Sequence, residues 1–414
     1  GFTIQANLAI SLGRSHNLKG FLLLLKVSSK QKGKSFRGRL MDCSETDIVF
    51  MQRAIEVAER GRGKVHPNPL VGCILVKNGV VISEGWHDYL GGLHAEQMAI
   101  SNAEENGNST NGATAYITLE PCNHHGRTPP CTEALLWAGI SEVVIGHIDP
   151  NPTVKGEGLK ALKDAKIKVR AGILEKETGI QMQSFLNWCN NGIPLVTLKM
   201  ATDCDGYIDD KSKTSQRFSS ETTLDTVHKL RSFSDAILVG VNTVIRDDPL
   251  LNVRRINKEH VKNPLRLILD SNLRIPLESK LLNDGSPTLI VYLNGDENTI
   301  ELLKSKKGIE LLEMKKNKEG QGINPKGLLK ILGERGIQEL LIEGGTETAR
   351  RFVESNLIDR ILMFRSPISF KEPVKGLTGH EIVGLGLKRL SDIYYEDDCL
   401  ERWSRVPWPS ENWP

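Results

Sequence analysis

The pattern of apolar and polar positions along this chain changes period again and again, and those changes predict its elements. From Asp47 to Arg60 the apolar residues Phe50, Ala54, Val57 and Ala58 recur at helical spacing, with Ser44 or Thr46 placed to cap the helix. Leu70 to Val76 and Val80 to Gly85 are strand-like runs joined through Asn78-Gly79, a hairpin turn signal. The pattern then predicts a helix over His94–Asn106, a strand over Ala113–Leu119 and a helix over Pro130–Ala138. A strand over Ser141–Ile148, a helix over Gly158–Ala165 and a strand over Ile167–Ala171 follow. Strands alternating with helices after an opening hairpin imply a mostly parallel sheet covered on both faces.

A helix over residues 173–190 leads to the polar stretch Asn187–Gly192, read as a domain boundary. The alternation then restarts. Leu195–Met200, Ala236–Val241, Leu265–Asp270, Thr288–Leu293 and Glu339–Ile342 are β-rich, with helical candidates at Ser220–Ser232, Pro325–Arg335 and Thr346–Ser355. The Lys-rich segment Lys304–Gln321 reads as solvated surface. The division expected is a basic extension over 1–40 outside the fold, α/β domains over 41–190 and 191–395, and a C-terminal tail over 396–414.

Residues 1–40 hold eight Lys or Arg and no acidic residue. They read either as an organellar transit peptide or as an upstream translated stretch outside the fold. The expected location is organellar in the first case and cytoplasmic in the second. Over the whole 414 residues, 54 Lys plus Arg against 51 Asp plus Glu give a net charge of only +3, which argues against a nucleic-acid scaffold or a polybasic membrane binder. Apolar runs such as Phe21–Leu25, closed by Lys26, fall far short of the ~20 residues a spanning helix needs. Seven cysteines, an odd number, do not form an evident disulfide framework, and in a reducing compartment neighbouring cysteines are read first as metal ligands.

The chemistry starts at His94-Ala95-Glu96 and at Pro121-Cys122, with Cys131 nine positions later. One His and two Cys give Zn2+ three ligands of suitable softness and leave a fourth tetrahedral position for water, whose pKa the metal lowers toward neutrality. Glu96 is then surplus to the ligand count and free to shuttle protons. Residues two apart diverge on a helix, so the His-x-Glu pair fits a loop-to-helix junction. The second pair sits where a strand ends and a helix begins, a place that favours thiolates. This is the signature of zinc nucleobase deaminases, except that eight residues rather than two separate the cysteines. A closed structural zinc site, with His124 or His125 as fourth ligand, is the competing reading.

Longer motifs surround these residues. His66-Pro67-Asn68-Pro69-Leu70-Val71-Gly72-Cys73, Gly85-Trp86-His87, the run from Thr118 to Cys131 and Asp149-Pro150-Asn151-Pro152 closely resemble the deaminase half of the bifunctional riboflavin-biosynthesis deaminase–reductases, the RibD family. Leu198-Lys199-Met200-Ala201-Thr202, Val227-His228-Lys229-Leu230-Arg231, Asp247-Asp248-Pro249 and Glu343-Gly344-Gly345 resemble its reductase half. The resemblance spans about residues 45–395. It implies a cytidine-deaminase-like three-layer α/β/α domain, followed by a dihydrofolate-reductase-like α/β domain. It further implies zinc-dependent deamination of 2,5-diamino-6-(5-phosphoribosylamino)pyrimidin-4-one, then NADPH reduction of the ribosyl chain to ribityl. By the same resemblance His94, Cys122 and Cys131 would hold one zinc, with Glu96 catalytic. NADPH would contact Ala201, Arg217, Thr243, Asp247, Ser271, Gly345, Thr346 and Glu347. Substrate would contact Ser215, Arg231, Leu251, Arg254 and Glu343.

The residues speak in part for themselves. Glu343-Gly344-Gly345-Thr346 ends a strand in glycines, with Thr346 placed to cap a helix whose free N–H groups suit phosphate. Arg231 and Arg254 suit phosphate as bidentate donors. Asp203, Cys204, Tyr207 and Arg217 depart from the family's usual pattern. Two other classes compete: a nucleic-acid deaminase, which the balanced charge and the long second half oppose, and a non-catalytic partner module, which the intact ligand set opposes. The expected partners are small molecules, with no nucleic acid and no membrane, and assembly into a homo-oligomer is left open.

Overall fold

Ser44 caps the first helix through a reciprocal pair: its hydroxyl accepts from the Asp47 N–H, and the Asp47 carboxylate accepts from the Ser44 N–H, both at 3.1 Å. The computed structural model describes residues 44–124, 129–151, 155–210, 219–256, 259–315, 322–411 and 413–414. Asp47 also ties this helix, α1 (Glu45–Ala58), to the sheet: Arg170 donates to it at 2.6 and 2.8 Å and the Tyr116 hydroxyl at 2.9 Å. Those bonds, that from Arg170 foremost, hold the buried carboxyl well below the usual carboxylate range.

The first sheet is built from β1 (Gly72–Lys77), β2 (Val80–Trp86), β3 (Thr114–Leu119), β4 (Glu142–His147) and β5 (Lys168–Ala171), in the order β2-β1-β3-β4-β5. The helices between them are α2 (Ala95–Glu105), α3 (Cys131–Trp137) and α4 (Glu157–Asp164). Asn78 and Gly79 both have positive φ, 51° and 75°, as the tight hairpin between β1 and β2 requires. The α/β/α layering follows from the two-residue period of β1. Cys73 and Leu75 face one way and pack with Ala95, Ala99 and Ala103 of α2 and Leu135 of α3. Gly72 faces α1, where a Cβ would come within 2.0 Å of the Ala54 carbonyl oxygen. The expectation of a mostly parallel sheet needs correction. β1 is antiparallel to both neighbours, and only β3–β4 and β4–β5 are parallel. The crossover through α2 runs from β2 to β3 and leaves β1 wedged between them.

The single helix expected over 173–190 is two, α5 (Glu175–Gln181) and α6 (Gln183–Asn191), broken at Met182, whose φ of −107° and ψ of 26° lie outside the helical range. The polar stretch read as a boundary is the last turn of α6, which Gly192 closes at φ +68°.

Beyond it come β6 (Leu195–Thr202), β7 (Tyr207–Asp210), α7 (Glu221–Ser232), β8 (Ala236–Gly240), α8 (Val241–Asp247), β9 (Leu265–Leu269) and α9 (Lys280–Asn283). Then follow β10 (Thr288–Tyr292), α10 (Glu297–Ser305), β11 (Ile309–Glu313), α11 (Pro325–Glu334), β12 (Glu339–Ile342), α12 (Thr346–Glu354) and β13 (Arg360–Arg365). The chain closes with β14 (Pro373–Lys375), α13 (Gly379–Val383), β15 (Lys388–Arg389), β16 (Ile393–Tyr395) and β17 (Asp398–Ser404). The second sheet has the order β11-β10-β9-β8-β12-β6-β13-β17-β15, with β16 also on β17 and a separate β7–β14 pair. It is parallel from β11 to β13 and antiparallel beyond.

One expectation fails here. Residues 396–414 are not a tail: β17 pairs with β13 along its length, and Trp413 is buried against Arg360. Of the Lys-rich segment read as solvated surface, residues 304–315 include no buried one, and Ile309–Glu313 forms the edge strand β11; its residues 316–321 lie outside the described ones.

At the β6–β7 turn, buried Asp203 accepts three backbone N–H groups, from Asp205 at 3.0 Å, Tyr207 at 2.8 Å and Phe370 at 3.0 Å. The Cys204 N–H in turn donates to the Ile368 carbonyl at 2.9 Å.

The two sheets meet through the segment before β1. Gln338, fully buried, donates from its side-chain amide to the Pro67 carbonyl at 2.6 Å. Asp235 accepts the N–H groups of Gln338 and Glu339 and stands 3.1 Å from His66. The Trp188 indole N–H donates to the Gly333 carbonyl at 2.7 Å. Among the described residues no helix is long and apolar enough to cross a membrane.

Candidate active sites

His94 is the residue just ahead of α2, in extended conformation (φ −71°, ψ 160°), with its N–H donating to the Gln97 side chain at 3.2 Å. The junction predicted for His-x-Glu is thus present, and it turns His94 and Glu96 into one cavity. Cys122 follows the end of β3, and Cys131 opens α3 with its N–H donating to the Cys122 sulfur at 3.5 Å. Thr132 donates to Asn123 at 2.7 Å and Gln97 to the Pro129 carbonyl at 3.0 Å, which pins both ends of the intervening loop.

The His94 Nδ1 atom stands 3.3 Å from the Cys131 sulfur and 3.6 Å from that of Cys122. The three donor atoms all lie within 4.8 Å of one another, the only such His/Cys/carboxylate group found among the described residues. Two sulfurs and one imidazole nitrogen at this spacing fit a zinc ion. His124 borders the cavity but is not part of the cluster, and His125 lies outside the described residues. The Cys122 thiol is drawn down to about 4, first by its hydrogen bond with Cys131, while the buried Cys131 thiol is pushed up. Glu96 is 3% exposed; burial, and then the charge of Cys122, push its carboxyl above the ordinary range.

This cavity, about 600 Å³, is further walled by Asn68, His87, Gly91, Gly92, Glu120, Asp149 and Phe185. His87 Nδ1 donates to the Leu93 carbonyl at 2.9 Å, which leaves Nε2 to accept from the Asn68 amide at 3.1 Å. Asn68 and His87 thus belong to the site, although no role was assigned to them from sequence.

A second cavity, about 1,110 Å³, lies at the carboxyl ends of β6, β8, β9 and β12, the usual ligand crevice of an open α/β sheet. Ala201, Thr243, Asp247, Ser271, Gly345, Thr346, Glu347, Arg231, Leu251 and Glu343 all border it. Ser215 and Arg217 lie outside the described residues. Arg254 is not in its wall: it is exposed and donates to the Asn252 side chain at 2.9 Å. The expected use of Arg231 also needs correction. Its fork is not open to a phosphate but grips Glu343 at 2.6 and 2.9 Å, with a third bond to the Asn252 carbonyl at 3.3 Å. Thr346 does not cap α12; Gly345 does, and the Thr346 hydroxyl donates to the Lys375 carbonyl at 2.8 Å.

Lys199, which carried no assigned role, stands in the same wall 3.5 Å from Glu343. Burial raises the Glu343 carboxyl, but the charges of Arg231 and Lys199 outweigh it and bring the value down to about 2. Seven cationic side chains (Lys199, Arg231, Arg246, Arg274, Arg350, Arg351, Lys375) against four carboxylates make this a basic cavity, suited to phosphate-bearing molecules.

Residues 44–147 match the family described as cytidine and deoxycytidylate deaminase zinc-binding region, and residues 194–381 match the RibD C-terminal domain. The chain is 38% identical over 348 residues to the riboflavin biosynthesis protein RibD of Aquifex aeolicus, covering 84% of this chain and 93% of that one. It is 39% identical over 325 residues to RibD of Actinobacillus pleuropneumoniae, covering 78% and 84%. The solved Acinetobacter baumannii RibD superimposes with a TM-score of 0.76 at 35% identity, over 87% of this chain and 99% of that one. A Thermotoga maritima diaminohydroxyphosphoribosylaminopyrimidine deaminase/5-amino-6-(5-phosphoribosylamino)uracil reductase gives 0.73 at 32%, over 87% and 98%. A zinc-binding deaminase domain followed by a reductase domain, matched across most of its length, means that the chain belongs to the RibD family, the bifunctional deaminase–reductases of riboflavin biosynthesis.

Proposed function

We propose that the chain converts 2,5-diamino-6-(5-phosphoribosylamino)pyrimidin-4-one to 5-amino-6-(5-phosphoribitylamino)uracil in two steps, deamination in the first cavity and NADPH-dependent reduction in the second. The observation that carries this is the convergence of His94, Cys122 and Cys131 within 4.8 Å, with buried Glu96 beside them and outside the ligand set. These three residues would hold one zinc ion, which when bound supplies a Lewis acid that activates water near neutral pH. Glu96 takes one proton of the attacking water and gives it to the ring nitrogen, where it stays, and then carries that water's second proton to the amine, which departs as ammonia. Its raised carboxyl suits both halves of that task. Thiolate ligands call for a reducing compartment such as the cytoplasm.

The second cavity would hold NADPH, which when bound would supply the hydride. Gly344 and Gly345 ahead of α12 leave room for a phosphate at the helix N-terminus, where the Gly345 N–H donates to Thr243 at 3.3 Å. Arg231 keeps Glu343 ionised and fixed, and Lys199 sets an ammonium beside it, so the pair offers one acceptor and one donor to the ribosyl hydroxyls. Ser215 and Arg217 are carried only by the family resemblance.

One assay tests the proposal: purified chain and the diaminopyrimidinone, with and without NADPH, following ammonia and NADPH separately. Ammonia release without NADPH, and NADPH oxidation only once deaminated product has formed, are expected. No ammonia release, or NADPH oxidation ahead of it, overturns the scheme.

A further inference from the structure

Glu120 lies two residues before Cys122 and is only 4% exposed. Its carboxylate accepts four backbone N–H groups: Oε1 from Gly158 at 3.1 Å and Leu159 at 3.3 Å, Oε2 from Gly156 at 3.1 Å and Asp149 at 3.2 Å. A carboxylate has about four lone-pair directions, so these donors use its capacity even though the residue borders the first cavity. One donor, Asp149, is itself a wall of that cavity, and the other three open α4. The negative charge also suits the positive end of that helix. Gly158 permits the close approach: a Cβ there would come 2.1 Å from the Pro121 carbonyl oxygen. The strand end that leads into Cys122 and the chain from Asp149 to α4 are therefore fastened by a single side chain.

We propose that Glu120 is a positioning residue for the deamination. It fixes Asp149 and the start of α4 against the loop that carries Cys122, and so sets the width of the substrate pocket without touching substrate or metal. His94 caps α2 and Glu96 stands in its first turn, held by a bond to Gln97 that does not pass through Glu120, and Cys131 opens α3. Its loss should therefore loosen substrate binding more than chemistry. The inference rests on the deaminase reading above.

The test is Glu120→Gln in the full-length, zinc-loaded chain with the diaminopyrimidinone as substrate. An amide presents N–H groups to two of the four donors and cannot accept from them. The KM for deamination should rise about ten-fold or more while kcat changes by less than about three-fold. Zinc per chain and reduction of pre-deaminated substrate should match wild type. A KM within about two-fold of wild type, or loss of zinc, overturns the inference. Should Glu120→Gln fail to fold, seen as loss of reduction as well, Gly158→Ala decides, since it forces the same two segments apart and leaves the charge in place. A raised KM there supports the inference and an unchanged KM overturns it. A wild-type chain that releases no ammonia overturns the deaminase reading and this inference together. An active wild type with an unaltered Glu120→Gln overturns only the inference.

Discussion

The Gln338 side-chain amide donates to the Pro67 carbonyl at 2.6 Å, joining the start of β12 to the segment that delivers Asn68 to the first cavity. Gln338 is fully buried, so truncation leaves that carbonyl unpaired in the contact between the two sheets. Gln338→Ala should cost about 1–3 kcal/mol. Denaturant unfolding followed by circular dichroism measures it, and a midpoint equal to that of wild type would show that the bond contributes nothing.

Glu96→Gln keeps the size of the side chain and removes its ability to carry a proton. Deamination should fall by about 10² to 10⁴, the usual worth of general acid–base help. Zinc content and reduction of pre-deaminated substrate should be unchanged. Metal analysis beside the two assays separates the outcomes: lost zinc would make Glu96 a support for the ligands, and undiminished ammonia release would make it a bystander.

Glu343 gives a pH prediction with a definite sign. Its value is lowered from an ordinary 4.5 to about 2 in the folded chain. It therefore stabilises the fold above pH 4.5, and this contribution is lost as pH falls from there toward 2. A lowering of that size corresponds to about 3 kcal/mol, in line with the cost of breaking a buried ion pair. Glu343→Gln should lower neutral-pH stability by about that much and abolish reduction, and the stability gap should narrow on acidification from pH 4.5. A gap that stays constant from pH 7 to pH 3 would contradict the assignment.

The reductase should prefer NADPH to NADH. Arg274, Arg350 and Arg351 border the second cavity, and a hydrogen bond to a charged group is worth about 1.5–3 kcal/mol. At least about a ten-fold difference in kcat/KM follows. Equal values for the two nucleotides would remove any role for these arginines in cofactor choice.

What could be read in the sequence was local. His94-Ala95-Glu96 and Pro121-Cys122 announce themselves because each ligand sits at the seam of a strand or loop with a helix, and such seams carry short-range signals. The second cavity depends on pairings that cross the chain. Glu343 meets Arg231 across 112 residues, and nothing near Arg231 marks its fork as already engaged. Lys199 had a weak signal, a lone cation inside the apolar run Leu195–Met200. The strand register sets Leu198 beside Ile342, which places Lys199 level with Glu343. β17 escaped notice because Asp398 and Ser404 are among its inward-facing residues, which breaks the two-residue apolar rhythm. The break at Met182 carries no proline, and the nearby Gly179 stands inside α5 rather than at the break.

Asp203 ties two distant stretches into one exchangeable part. Its carboxylate satisfies N–H groups at 205, 207 and 370, and the Cys204 N–H is answered by the carbonyl at 368. A residue without three free acceptors at position 203 would strand the Phe370 N–H unless the 368–370 loop changed with it. Substitutions at 203 are thus contingent on that loop, and drift at either stretch is constrained by the other. A chimera that borrows the β6–β7 turn from a relative must borrow residues 368–370 as well; grafted alone, either piece arrives without its counterpart.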